Sequence, residues 1–330
     1  MLRLYDTTES LKNQEGEPIK GLTARKKENI VLADIAKKAG FEDIEKRLRS
    51  CGSMPVIGVH RETGECGVVS MYHCRVRLCP VCEWARARAN YARLSAALNL
   101  IREEEPGLVP CFLTLTLKNV PAIELRATIS HMGRSFNRLM KYRDLQCVQG
   151  FWRALEVTRN RDTGMYHPHL HVLLLMEPGY ASKGKAYIKH GKFVDLWRKS
   201  LREGYDPSVK IQRVGYGKDA EIEHKAVLEV CKYTVKGSDM FQGSDKLQAR
   251  IFNELRFALM GLRFVGAGGV IKEALKALKM EDLESPESPE DMSVARRVQA
   301  NPADWILLYW RWGASGYILD IRTDGEENEY

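Results

Sequence analysis

Apolar positions along this chain recur with two periods, and each change of period marks an element. Trp84, Ala87, Tyr91, Leu94, Leu98 and Ile101 follow spacings of three and four, one helical stripe that should end before Pro106. Residues 111–117 (CFLTLTL) alternate with period two and predict a strand. Residues 122–142 predict a helix with Ile129, Met132, Phe136, Leu139 and Met140 on one face. Residues 151–158 and 169–176 predict two strands, joined as a hairpin by the turn chemistry of NRDTG at 160–164. A helix at 192–203, a strand at 208–214, and helices at 220–236 and 245–263 follow. Next come a glycine-rich break (GAGG, 266–269), a helix at 270–280 and a Trp- and Tyr-rich β-like piece at 304–322. Upstream, residues 30–50 predict a helix with Ile30, Ile35, Ala36 and Ile44 toward the core. Residues 51–82 are rich in Gly and Cys with short β-like pieces, and the first 28 residues read as a flexible polar arm. There is no internal repeat.

Composition changes this picture in two ways. The 330 residues are 44% hydrophobic and 28% charged, so most of the chain should fold, as two domains or one decorated domain. The net charge of +8 is unevenly placed. Residues 281–291 (EDLESPESPED) hold six acids and residues 324–330 (DGEENEY) hold four, with no base in either. The remainder sets 51 bases against 33 acids, +18, which points to a polyanionic partner. Residues 1–20 contain no apolar signal core, and the longest apolar runs are too short to span a bilayer. A cytoplasmic setting is therefore expected, where eight cysteines are not explained by disulfides.

The sharpest chemical feature is HPHLHVLLLM at 167–176. On a strand, His169 and His171 share a face about 7 Å apart along the chain and can converge on one divalent ion. Pairing across a loop centred near 162–163 brings Glu156, an acid in an apolar run, beside one of them. Two imidazoles and a carboxylate leave coordination positions open, which suits catalytic Mg2+ or Mn2+. The plainer reading is a surface or hydrogen-bonded pair. His167 has the same parity and reads as a solvated residue at the strand entry.

A second motif is EVCKYTVK at 229–236. On a helical wheel with Glu229 at zero, Tyr233 falls at about 40° and Lys236 at about 340°. The apolar Val227, Leu228, Val230, Cys231 and Val235 fall on the other side, and Lys225 and Lys232 flank the polar face. A Tyr there can act as nucleophile, a carboxylate one turn away can activate water, and a Lys can hold phosphate or phenolate charge. An ordinary amphipathic helix is the plainer alternative.

The third feature is CRVRLCPVC at 74–82. Cys79-x2-Cys82 has the spacing of a structural zinc site, Cys74 makes a third ligand, and Cys51, Cys66, His60 and His73 compete for the fourth place. Reduced thiols in a packed loop are the alternative. Cys111, Cys147 and Cys231 lie in apolar stretches and read as core thiols. Arg75, Arg77, Arg86, Arg88 and Arg93 surround the cluster and can track DNA phosphates, with Arg86 and Arg88 expected to be the least buried; a solvated helix face is the competing reading.

Taken in order, FLTLTLK (112–118), HPHLHVLLLM (167–176) and EVCKYTVK (229–236) resemble the HUH endonucleases, most closely the plasmid rolling-circle replication initiators with a single catalytic tyrosine. The resemblance covers roughly residues 50–240. It implies an α+β fold with a central antiparallel β-sheet palm and helices on one face, a zinc module before it and a mainly helical region after it. It implies a nickase and strand transferase in which Tyr233 attacks origin DNA and stays on the 5′ phosphate. His169 and His171 would then bind Mg2+ or Mn2+ and Lys236 would assist. Glu229 would activate water at termination. Glu156 as third ligand rests on hairpin geometry. The upstream Cys-Gly of this family favours Cys51 as the fourth ligand of a structural Zn2+, with Cys66 next.

The expected organisation is an arm (1–28), a helix, Cys-rich module and long helix (29–105), the palm (106–240), a helical extension (241–280), an acidic linker (281–291) and an aromatic-rich end (292–330). A related transposase or relaxase shares the chemistry, and a non-catalytic zinc-containing DNA-binding protein is the alternative of another class. Partners implied are single-stranded and origin DNA, a host helicase and polymerase, and a second copy of the chain, with no membrane. Recognition of duplex origin, helicase contact and self-association all remain open for residues 241–330.

Overall fold

The computed structural model describes residues 20–180, 187–214, 227–231, 235, 240–314 and 316–320. The chain divides into two units, Met1–Arg86 with Pro286–Tyr330, and Ala87–Ser285.

In the first unit, α1 (Lys20–Lys38) and α2 (Glu42–Ser50) pack together. The single helix expected at 30–50 is broken at Gly40, whose φ of +85° no ordinary side chain adopts cheaply. Helix α1 begins inside the segment read as an arm, because Leu22 and Lys26 are buried on it. Strands β1 (Val56–His60) and β2 (Cys66–Ser70) form a hairpin. The C-terminal strands β8 (Trp305–Trp312) and β9 (Tyr317–Asp320) join it in the order β2-β1-β8-β9, all antiparallel. Helix α8 (Pro289–Ala300) packs Val294 and Val298 on Trp305 and Val69. It starts within the acidic segment: Ser288 accepts from the Asp291 N–H as N-cap, and Asp291 accepts from the Val68 N–H. The aromatic end, expected as a separate piece, thus shares a sheet with the Cys-rich region.

Helix α3 (Pro80–Glu104) starts in the first unit and continues into the second. The second unit is built on a five-stranded antiparallel sheet. Its strands are β3 (Val109–Thr116), β4 (Val148–Arg159), β5 (Tyr166–Met176), β6 (Val209–Arg213) and β7 (Val265–Gly269), in the order β6-β3-β5-β4-β7. The β4–β5 turn is closed by Asn160, whose Oδ1 accepts from the Asp162 and Thr163 N–H groups. On one face Phe112, Trp152, Leu173 and Leu175 pack under Leu94, Leu98 and Ile101 of α3, under Val227, Val230 and Cys231, and under α7 (Val270–Ala277). On the other face lie α4 (Ala122–Leu139), with Phe136 edge-on to Phe151 at 5.0 Å, and α6 (Asp245–Leu259), whose Glu254 accepts from the Tyr166 hydroxyl at 2.7 Å. Helix α5 (His190–Leu201) fastens to the C-terminal end of β3 through the Trp197 indole, which donates to the Thr116 carbonyl. Helices therefore cover both faces, where the resemblance implied one.

Two expectations are corrected. The GAGG break is strand β7, paired with β4 from Gly150 to Ala154. Glycine is required there by contact: a Cβ on Gly268 would lie 2.4 Å from the Phe151 ring, and one on Gly269 2.0 Å from the Gln149 carbonyl. The pattern of glycines marks a close approach rather than a flexible joint. Secondly, the helix expected at 220–236 is helical at 227–231, but Val235 forms a parallel bridge to Val157. The rest of that expected helix, Lys236 included, lies outside the described residues, and Leu228, expected to be buried, is 42% exposed.

Candidate active site and metal centres

The hairpin sets Glu156 directly opposite His169, with His171 two residues further on the same face. Both imidazole Nε2 atoms converge on one carboxylate oxygen, Glu156 Oε2, at 3.1 Å from His169 and 2.8 Å from His171. The three side chains are buried or nearly so. Burial alone would raise the Glu156 carboxyl, but the hydrogen bonds and positive charge of the two histidines outweigh it and hold the group well below its usual range. A hard divalent ion with ligands at about 2.1 Å in octahedral array keeps adjacent ligand atoms about 3 Å apart. The observed 2.8 and 3.1 Å match that spacing. Glu156, His169 and His171 therefore fit a divalent metal.

The remaining ring nitrogens are oriented by neighbours. His171 Nδ1 lies 3.5 Å from the Thr114 hydroxyl, and His169 Nδ1 lies 3.3 Å from the His167 carbonyl oxygen. The His171 ring also leans on Phe112, 5.5 Å between centroids. Burial and the nearby His169 lower the His167 pKa, and its ring lies 5.3 Å from that of His169, so it is not the freely solvated residue expected. The alternation of CFLTLTL could have pointed to Thr114, since it shares a face with Phe112 and Thr116; the sequence reading assigned it no role.

Glu229 enters from residues 227–231, its Oε1 3.9 Å from His171 Nε2. The Trp152 indole N–H donates to the Val230 carbonyl at 3.4 Å and pins that segment over the sheet. Val235 then bridges Val157, the neighbour of Glu156 on β4. Tyr233, Lys236, Lys225 and Lys232 lie outside the described residues.

In the other unit, Cys51, Cys74, Cys79 and Cys82 form a buried cluster. Cys51 ends α2, Cys74 follows β2, and Cys79 and Cys82 bracket the start of α3. Three Sγ–Sγ separations are 3.5, 3.6 and 3.7 Å. That is far beyond a disulfide bond and close to the roughly 3.8 Å edge of a tetrahedron with metal–sulfur bonds of about 2.3 Å. Burial and the neighbouring sulfurs push the Cys79 thiol well above its ordinary value, while hydrogen bonds from the other three cysteines hold Cys82 well below it. The cluster fits a four-coordinate metal and takes Cys51, with Cys66 out on β2, as its fourth member. Cys111, Cys147 and Cys231 are buried apart from it, as core thiols.

The arginines divide. Arg75 is exposed, and Arg77 and Arg88 are half-buried. Arg86 and Arg93 are buried, which corrects the expectation for Arg86. Arg93 donates to the Ser285 carbonyl, and Arg86 lies near Glu83, whose carboxyl burial pushes up to about 8 against the opposing Arg86 charge. The first turns of α3 are buried nearly all round, so the stripe read from spacing was too narrow.

Residues 67–318 match the replication protein family Rep_1. The chain belongs to that family. "Protein rep" of Bacillus amyloliquefaciens is 36% identical over 83% of this chain and 84% of its own length. "Protein rep" of a Bacillus species is 37% identical over 72% of this chain and 82% of its own, and that of Streptococcus pneumoniae serotype 2 is 34% identical over 83% and 84%. No solved structure matches. The likeness to plasmid replication initiators read from three motifs is thereby shown at the level of the family, and in this replication protein the match takes in Cys74, Cys79 and Cys82 of the Cys cluster and the whole Glu-His-His cluster. No helix among the described residues is long and apolar enough to cross a membrane.

Proposed function

We propose that this replication protein starts plasmid rolling-circle replication by nicking and rejoining single-stranded DNA at the origin. The observation that carries this reading is the convergence of Glu156, His169 and His171 on one point, with Glu229 beside them. Those three residues would hold Mg2+ or Mn2+, which would polarise the scissile phosphate.

Tyr233 is the nucleophile in this reading. Its phenolic oxygen attacks phosphorus, the bond to the 3′ oxygen breaks, and that oxygen leaves with a proton as a free 3′ hydroxyl for a polymerase. Lys236 supports the phenolate or the phosphate charge. Glu229 takes a proton from the water that performs the terminating cleavage, so that no permanent adduct remains. The Cys51, Cys74, Cys79 and Cys82 centre binds structural Zn2+. Arg75, Arg77 and Arg88, with Lys225 and Lys232, contact DNA phosphates. Arg86, being buried, is left out. A host helicase, a polymerase and a second copy are the expected partners, in a cytoplasmic setting.

The test is a denaturing gel of protein with labelled single-stranded origin DNA and Mn2+. Wild type should form a covalent adduct and Tyr233→Phe none. An adduct in both would move the nucleophile to another tyrosine. DNA binding with no adduct, on an origin replicated in cells, would overturn the nuclease reading.

A further inference from the structure

Lys26 lies on α1, in a stretch whose charged ARKKE sequence promised only solvent. Instead its side chain is 0% exposed. The ammonium donates to the Arg49 carbonyl at 2.5 Å, the Cys51 carbonyl at 2.7 Å and the Ser53 hydroxyl at 2.8 Å. That accounts for all three of its protons, and every acceptor is neutral.

A buried cation held only by neutral oxygens is costly unless negative charge lies close by. The negative charge available is that of the cysteine cluster. Cys51, whose carbonyl Lys26 holds, belongs to it; burial lowers the ammonium's pKa to about 8, and the sulfurs of Cys51, Cys79 and Cys74 oppose that fall. A divalent ion with four thiolates carries two net negative charges in an interior that screens them poorly. Asn29, one turn after Lys26 and likewise fully buried, accepts at its Oδ1 from the Cys79 thiol at 3.2 Å. Two polar residues of α1 thus reach the cluster without supplying a ligand.

We propose that Lys26 is the buried counter-charge of the tetrathiolate centre, which makes α1 part of the metal module. The inference rests on the reading of the four cysteines as a metal site. Lys26 acts through the cluster as a positioning residue. Its charge favours the metal-loaded thiolates over the metal-free thiols. Without metal the cluster carries less negative charge to offset its burial.

That asymmetry gives a test in the full-length protein. Zinc affinity is measured by competition with a chromogenic chelator, ligand number by the Co2+ absorption spectrum, and melting temperature with and without zinc. Lys26→Met and Lys26→Gln should each weaken zinc binding about 10- to 100-fold, the range for residues that support metal ligands. Their Co2+ spectra should still be those of four thiolates. Their metal-free forms should melt no lower than wild type, and their zinc-loaded forms lower. Ser53→Ala, which removes a neutral partner and no charge, should lower both melts alike and keep the zinc affinity. Wild-type zinc affinity in both Lys26 variants, or an equal fall of both melts, would overturn the counter-charge while leaving the metal site standing. A wild-type protein that binds neither zinc nor Co2+ would overturn the site and the proposal together.

Discussion

Gly269→Ala tests whether the GAGG segment is a joint or a strand. Gly269 has φ +59° and ψ −147°, a region essentially reserved for glycine, and a Cβ there costs about 1–3 kcal/mol in backbone strain. The same Cβ would lie 2.0 Å from the Gln149 carbonyl oxygen and 2.8 Å from Gly150 Cα. Both are backbone atoms of β4 and cannot swing aside, so β7 must shift, at about 1–3 kcal/mol more. The total is about 2–6 kcal/mol. For a unit of this size each kcal/mol lowers the melting temperature by about 2–4 °C, so a fall of at least about 4 °C is expected. Gly266→Ala is the control, since the atoms nearest its Cβ would be those of the Arg153 guanidinium, at 3.3–3.5 Å, and that head can move. Thermal and urea unfolding followed by circular dichroism read both variants. In a mobile joint, alanine would stabilise by about 0.4–1 kcal/mol by restricting the unfolded chain. A Gly269→Ala protein that melts at or above wild type would therefore refute the strand and its pairing with β4.

Further outcomes are expected. Glu229→Gln should still nick but should accumulate covalent adduct when termination is assayed on a circular substrate; normal turnover would remove its assigned role. Cys51→Ser should lose stoichiometric zinc and Cys66→Ser should keep it, by metal analysis of the purified proteins; the reverse would exchange the fourth ligand. Burial pushes the Cys111 thiol from about 9 up to about 12. Between those values the unfolded thiol is ionised and the folded one is not, so this group's contribution to stability is lost as pH rises through that window. Cys111→Ala should flatten the fall in stability above pH 9, measured by urea unfolding, and an unchanged slope would count against the shift.

Much of the palm was legible because its signals are local. Period-two alternation at CFLTLTL and in the hairpin strands needed no partner to be read. Turn residues at 160–164 then set the register, and register alone brought Glu156 to His169. Other features depended on partners distant in sequence. Gly268 and Gly269 look like flexibility until Phe151 and Gln149 are placed against them. Val235 continues a helical pattern, yet Val157 draws it into a bridge. Arg86 sits beside the stripe on a wheel, but the start of α3 is buried beyond the stripe's width.

The sequence by itself determined the identity of the reactive groups and most elements, since side-chain chemistry, strand parity and turn preference are properties of neighbouring residues. Only the tertiary structure decided that both histidines share one carboxylate oxygen and that Cys51 rather than Cys66 completes the sulfur cluster. It alone placed Lys26 against that cluster and the C-terminal strands β8 and β9 beside β1. Those outcomes depend on distances of a few ångströms between residues as many as 265 positions apart, as from Gly52 to Tyr317. Burial, hydrogen bonding and charge act over such distances in space, whatever the separation along the chain.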